Sequence, residues 1–181
     1  MMVFLIILSC LLWIGGVALL FRRLSFAPAF GYLGLLTLSF AKDGGMPLLP
    51  ISPSILWGWL AITAIVTLSA AMQPQGVKNE RRGTGYMAVG ALTGLAVGLL
   101  GFSVTADLSL LYGIMVVAVA VGVCLGFLLF TRTPHGAAFG GLRSGALRTY
   151  LPAKGFPIAI TVMQIGIALV LAVALQKFVN L

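Results

Sequence analysis

The chain has 181 residues, of which 61% are hydrophobic and 8% are charged, and its formal net charge is +8. Globular domains carry about 25% charged residues, so a water-soluble domain of this composition could not cover its surface with polar groups. The composition therefore excludes a soluble globule. It predicts one domain, residues 1–181, that is embedded in lipid.

Charged residues divide the chain into long apolar runs, and a transmembrane helix needs about 20 such residues. The predicted spans cover residues 2–21, 25–41, 54–72, 84–105, 108–130 and 155–176. The runs are continuously apolar instead of alternating at every second residue, which indicates helices and not barrel strands. The second run is the weakest of the six, because it is short and contains Pro28. We predict an all-α integral membrane protein with a six-helix transmembrane bundle.

Basic residues are distributed unequally between the two sides of this bundle. Nine of the eleven fall between spans one and two, three and four, or five and six: Arg22, Arg23, Lys78, Arg81, Arg82, Arg132, Arg143, Arg148 and Lys154. Positively charged loops are retained in the cytoplasm, so an N-out/C-out orientation is predicted. No basic residue precedes the first apolar run, which indicates an uncleaved helix instead of a signal peptide. The expected location is the bacterial cytoplasmic (inner) membrane.

Two parts of the chain share a pattern of spaced identities. GLLTLSFAKD (34–43) and SILWG (54–58) match successive parts of GLLGFSVTADLSLLYG (98–113), and a pair of arginines precedes each unit. The pattern predicts a tandem duplication of a helical hairpin in parallel orientation; the alternative is chance similarity between apolar segments. The first unit contains an extra proline-rich segment, residues 44–53. We interpret it as a stiff outer loop, with a re-entrant pore element as the alternative.

Small residues recur at four-residue spacing in spans four and five. The two stripes consist of Gly90, Gly94 and Gly98, and of Ala118, Gly122 and Gly126. Residues four apart share a helix face, so each stripe allows close approach of another backbone. We predict packing within one subunit, with homodimerisation and a thin-walled conduction path as alternatives. Gln164 lies deep in span six and is predicted to bond to another helix, because an amide in lipid needs a partner.

The loop between spans five and six is the least apolar region. Its Arg143, Arg148 and Lys154 are candidates for contact with anionic lipid headgroups or with an acidic partner subunit. Basic loops are expected on the cytoplasmic side of any membrane protein. The positive charge therefore needs no nucleic acid to explain it, and nucleic acid is not expected as a partner. A homo-oligomer or a larger membrane complex is consistent with the stripes.

Catalytic and metal-binding patterns are not evident in the sequence. All three acidic residues fall in predicted loops, so a pump that uses a buried carboxylate is disfavoured. His135 is the only histidine, and one imidazole without a partner predicts neither a metal site nor a catalytic triad. No cofactor is expected, and an enzyme is disfavoured. Two hypotheses follow: a small channel- or permease-type transport protein, or a non-catalytic anchor or scaffold subunit of a larger membrane complex.

Overall fold

A computed structural model describes residues 2–43, 46–47, 51–73, 81–100, 108–138 and 146–179. These residues form seven α-helices: α1 (Met2–Arg22), α2 (Ala27–Ser39), α3 (Pro53–Ala71), α4 (Arg82–Leu100), α5 (Leu108–Thr131), α6 (Pro134–Ala138) and α7 (Ala146–Val179). Five of them, α1, α3, α4, α5 and α7, contain segments that are long and apolar enough to cross a membrane. The structure thus confirms two parts of the prediction: the protein is helical, and it has several helices that can cross a membrane.

The predicted count of six spans is not confirmed, because the second apolar run forms only a short helix. It begins with a 3₁₀ turn, Leu24–Phe26, and continues as the 13 residues of α2. At 1.5 Å per residue α2 is about 20 Å long, whereas the hydrocarbon layer is about 30 Å thick. Pro28 lies in its first turn, where the missing backbone donor costs no hydrogen bond. Beyond α2, Lys42–Asp43 (β1) pairs antiparallel with Met46–Pro47 (β2).

The helix α7 begins earlier than the sequence predicts. The sixth span is predicted to start at residue 155, yet the helix starts at Ala146 and contains Pro152 and Pro157. The prolines and the basic residues of 146–154 have loop character locally. Packing overrides this local preference: Tyr150, 1% exposed, belongs to the main apolar core.

The helices are arranged around α7, which contacts α1, α2, α3, α4 and α5. The main core combines residues from α1, α4, α5 and α7, among them Leu20, Met87, Met115 and Ile158. A second core, which includes Leu35 and Ala168, joins α2 to α7 and has Trp13 of α1 at its edge. The short helix α2 therefore packs between α1, α3 and α7, with Leu33, 43% exposed, on its outer face.

The two hairpins of the proposed duplication pack differently. Helices α4 and α5 are in backbone contact, whereas a groove of about 930 Å³ separates part of α2 from α3. Tyr32, Leu36, Leu56 and Trp57 are among the residues that line this groove. The duplication stays a hypothesis from the sequence. Five of the ten residues of its proline-rich insertion, 44–45 and 48–50, lie outside the described residues.

Candidate functional site

A cluster of uncharged polar side chains lies in the middle of the bundle, where α1, α2, α3 and α7 meet. Gln164 of α7 is fully buried, and its Nε2 atom donates a 2.7 Å hydrogen bond to Thr63 Oγ1 of α3. Thr63 is itself buried and lies at the centre of its helix. The predicted interhelical role of Gln164 thus corresponds to a bond that connects two helices far apart in sequence.

Two glycines of α2 allow this cluster to form. The Oε1 atom of Gln164 lies directly against Gly31, where a Cβ atom would overlap it. One turn further along α2, Gly34 lies under the indole ring of Trp13, and a Cβ there would lie 3.1 Å from the Cε2 atom of that ring. A larger residue at Gly31 would displace the end of the Gln164 side chain, and one at Gly34 would push α2 away from the rigid Trp13 ring of α1. The close approach therefore requires glycine at both positions.

Some polar groups of the cluster have partners and others do not. The hydroxyl of Ser9, fully buried in α1, donates a 2.7 Å hydrogen bond to the carbonyl oxygen of Gly34. Among the described residues, three buried polar atoms have no partner: Trp13 Nε1, Thr67 Oγ1 and Gln164 Oε1. A buried polar atom without a partner costs about 1–3 kcal/mol. Three such atoms around one short helix mark this region as a site where a polar ligand would gain hydrogen bonds.

A second feature, which we call the basic pocket, lies where the ends of several helices meet. It has a volume of about 370 Å³ and is lined by Leu20, Phe21, Arg22, Arg23, Leu24, Ser25, Phe26, Ala70, Gln73, Arg81, Thr84 and Lys154. The described part of this lining contains four basic residues and no acidic one. The Gln73 amide donates a hydrogen bond to the carbonyl oxygen of Ala153, which fixes the end of α3 against α7.

The two predicted stripes of small residues lie against one another within the same chain. A Cβ atom at Gly90 would lie 2.9 Å from the carbonyl carbon of Gly122, and one at Gly94 would lie 2.9 Å from that of Ala118. Gly126 is similarly close to the backbone of Tyr86, and Gly98 to that of Met115. Beside this seam runs an apolar groove of about 690 Å³, which we call the seam groove, with Phe21 and Arg82 at one end.

The three basic residues that are candidates for contact with lipid or a partner lie in different parts of the structure. Arg143 lies outside the described residues. Arg148 lies in the first turns of α7, and its side chain is outside the described part. Lys154 is only 4% exposed and lines the basic pocket, so its ammonium group is enclosed by the bundle instead of lying on an open loop.

Groups suited to metal binding or nucleophilic catalysis are not brought together in the described ranges, where no cluster of three or more His, Cys, Asp or Glu occurs. His135 lies in the short helix α6. Cys10 and Cys124 are free and exposed on the outside of the bundle.

Sequence reasoning missed Ser9, Trp13, Gly31 and Gly34 as parts of the polar cluster. A usable signal was present, since Gly31 and Gly34 are three residues apart and so share a face of the shortest apolar run. The spacing of the two glycines does not show which helices lie against that face.

Comparison with known proteins identifies no relative: no family model, no curated protein and no solved structure matches the chain. The function must therefore be argued from the two sites themselves.

Proposed function

We propose that this chain is a permease-type transport protein that moves a small, uncharged, hydrogen-bonding solute across the membrane. The observation that carries the proposal is the short helix α2, packed between α1, α3 and α7, whose Gly31 and Gly34 lie against buried polar atoms that have no partner among the described residues. Short or interrupted helices at the centre of a bundle are typical of transporter binding sites.

The chemistry of the cluster defines the class of solute. Gln164 Oε1 accepts hydrogen bonds, Trp13 Nε1 donates them, and Thr67 Oγ1 does either. None of these groups is charged, so they favour a neutral ligand over an ion. In the present conformation Gly31 and Gly34 are packed against Gln164 and Trp13, which closes the route through the cluster. A shift of α2 relative to α1 and α7 would open it, as expected of a permease and not of a permanently open channel.

The proposal includes the orientation and location inferred from the sequence. Both termini face outward, which requires α2 and the residues that flank it to complete a sixth crossing; the basic pocket faces the cytoplasm, and the membrane is the bacterial cytoplasmic membrane. Positive charge at the end of α1, at the start of α4 and in the first turns of α7 supports this orientation.

The test is solute flux into liposomes that contain the purified protein. Swelling after a step in glycerol or urea concentration, followed by light scattering, should be faster than in protein-free liposomes. Gln164→Leu should abolish the difference. Ser69→Ala should leave it intact, because Ser69 is exposed on α3 and bonds only the Val66 carbonyl of its own helix.

The alternative function is a non-catalytic scaffold subunit, in a homo-oligomer or a larger membrane complex. It makes the opposite prediction for the same preparation. Liposomes with and without the protein would swell at equal rates for both solutes, and purification in native lipid would recover a stoichiometric partner subunit. That combination would overturn the transport proposal.

A further inference from the structure

The structure assigns a second binding site to this chain: we propose that the basic pocket and the seam groove together hold one anionic phospholipid. The phosphate of the lipid would lie in the basic pocket and one acyl chain would lie along the seam groove. This site is separate from the polar cluster, and the inference does not depend on solute transport.

The charge of the basic pocket supports an anionic ligand. Arg22, Arg23 and Arg81 converge on it from the end of α1 and the start of α4, and none of the three has an ion-pair partner among the described residues. All three residues are exposed, so water screens the repulsion between their guanidinium groups. Together they give the 370 Å³ pocket a positive potential that attracts an anion. Guanidinium groups match phosphate oxygens in charge and geometry, which makes a phosphate the fitting anion.

The rest of the pocket lining indicates that the anion carries an apolar part. Leu20, Leu24 and Ala70 are 1%, 8% and 4% exposed and form an apolar wall within the same pocket. A free phosphate would be surrounded partly by hydrocarbon, which would not compensate for its lost hydration. A phosphodiester attached to acyl chains satisfies both kinds of lining.

The basic pocket and the seam groove are adjacent, because Phe21 lines both. Arg81 lines the pocket and its neighbour Arg82 lines the groove, so consecutive residues at the start of α4 lie at the boundary between them. Gly85 leaves space beside Phe21, since the one atom near a Cβ there would be Phe21 Cδ1, at 4.0 Å. In our proposal this space is the passage through which the acyl chain leaves the pocket.

The direction of the seam groove matches that of an acyl chain. From Gly85 it follows α4 past Val89 to Thr93, a rise of about 12 Å towards the middle of the helix at 1.5 Å per residue. The basic pocket is at the end of the spans, at the depth of lipid phosphates. A phospholipid in its normal orientation therefore fits with its headgroup in the pocket and its chain in the groove.

The experiment titrates detergent-purified protein with phosphatidylglycerol and counts bound lipids by native mass spectrometry. Each guanidinium group in the pocket would make a charge-assisted hydrogen bond to the phosphate, which is worth at least about tenfold in affinity, so Arg23→Gln/Arg81→Gln should weaken the first binding event about 100-fold. The matched control is Arg132→Gln, because Arg132 is an exposed arginine at the end of α5 that lies outside the basic pocket. It should change the affinity less than twofold.

A second pair of variants tests the acyl chain independently of charge. Gly85→Leu fills the passage beside Phe21 and should weaken phosphatidylglycerol binding at least tenfold. Gly113→Leu should not, because Gly113 lies outside the seam groove and a Cβ there meets nothing within 4 Å.

Three results would each overturn the inference. Equal losses for the double variant and Arg132→Gln would indicate general attraction of basic residues to anionic lipid. Displacement of the lipid by an equal concentration of glycerol phosphate would indicate a site for soluble anions. Unchanged binding in Gly85→Leu would show that the seam groove holds no acyl chain.

Discussion

Gly90 and Gly122 face each other so closely that a Cβ atom on either one would overlap the carbonyl group of the other. The relationship is reciprocal, so neither helix can accommodate a side chain without moving the whole pair. Helix association in lipid relies on such packing, because lipid tails are as apolar as the side chains.

Gly90→Ala should therefore destabilise the protein by separating α4 from α5. Overpacking of a closely packed interior typically costs about 1–3 kcal/mol, and here the obstacle is backbone, which cannot rotate away. The measurement is the free energy of unfolding in mixed detergent micelles. Gly113→Ala is the control, and it should be neutral or stabilising by up to about 1 kcal/mol, because alanine favours helix and the added methyl group meets nothing. Equal stability of the two variants would contradict the structure of the seam.

The bond between Gln164 and Thr63 should contribute measurably to stability. Polar pairs between transmembrane helices are worth about 0.6 kcal/mol on average, so a double-mutant cycle of Gln164→Leu and Thr63→Val should give a coupling energy of about that size. The two residues are on α7 and α3, and the cycle removes effects that each substitution has separately. A coupling energy of zero would show that the two side chains do not bond.

Trp13→Phe should slow transport without a large change in the stability of the protein. The indole Nε1 atom has no hydrogen-bond partner within the described part of the chain, so removing it relieves a cost of about 1–3 kcal/mol. The smaller ring of phenylalanine loses packing contacts that offset this gain, so the free energy of unfolding should change by less than about 1 kcal/mol. If the solute accepts a hydrogen bond from this atom, liposome swelling should slow at least fivefold. Trp57→Phe is the control, since Trp57 is 70% exposed on α3, and it should affect neither quantity. Normal swelling with Trp13→Phe would show that the indole does not bind the solute.

Ser9→Ala should loosen α1 from α2. The Ser9 hydroxyl donates to the Gly34 carbonyl oxygen at 2.7 Å, and Thr37 Oγ1 donates to the same oxygen at 2.9 Å. Because Thr37 remains as a donor, the loss of stability should be small, about 0.6 kcal/mol. Ser9→Ala with Thr37→Val should cost more than the two single substitutions together, measured by unfolding in the same micelles. Simple additivity would indicate that the two donors act independently.

Some features of the fold follow from local sequence, and these were predicted. Continuous apolar runs predict α1, α3 and α5 to within one residue at each end and the start of α4 to within two, because the length of a span is set by the membrane and not by its neighbours. The predicted end of the fourth span, residues 101–105, lies outside the described residues. The stripes containing Gly90 and Gly122 were identified for a similar reason, since four-residue spacing places residues on one face of any helix.

Other features depend on contacts between distant residues and could not be predicted. The start of α7 at Ala146 conflicts with the prolines and basic residues there, and burial of Tyr150 is what overrides them. Lys154 was placed in a loop, yet α7 carries it into the basic pocket. The partners of Gln164 are 101 residues away at Thr63 and farther still at Gly31, and spacing within one helix gives no information on them.

The orientation of the bundle is tested most directly by labelling single cysteines in intact cells. Cys10 and Cys124 are exposed and would first be replaced by alanine. Ser52→Cys, just before α3, and Arg132→Cys, just after α5, would then be introduced separately, since both positions are exposed. An impermeant maleimide should label the first variant in intact cells and the second only after permeabilisation. Labelling of Arg132→Cys from outside would contradict a spanning bundle whose basic pocket faces the cytoplasm.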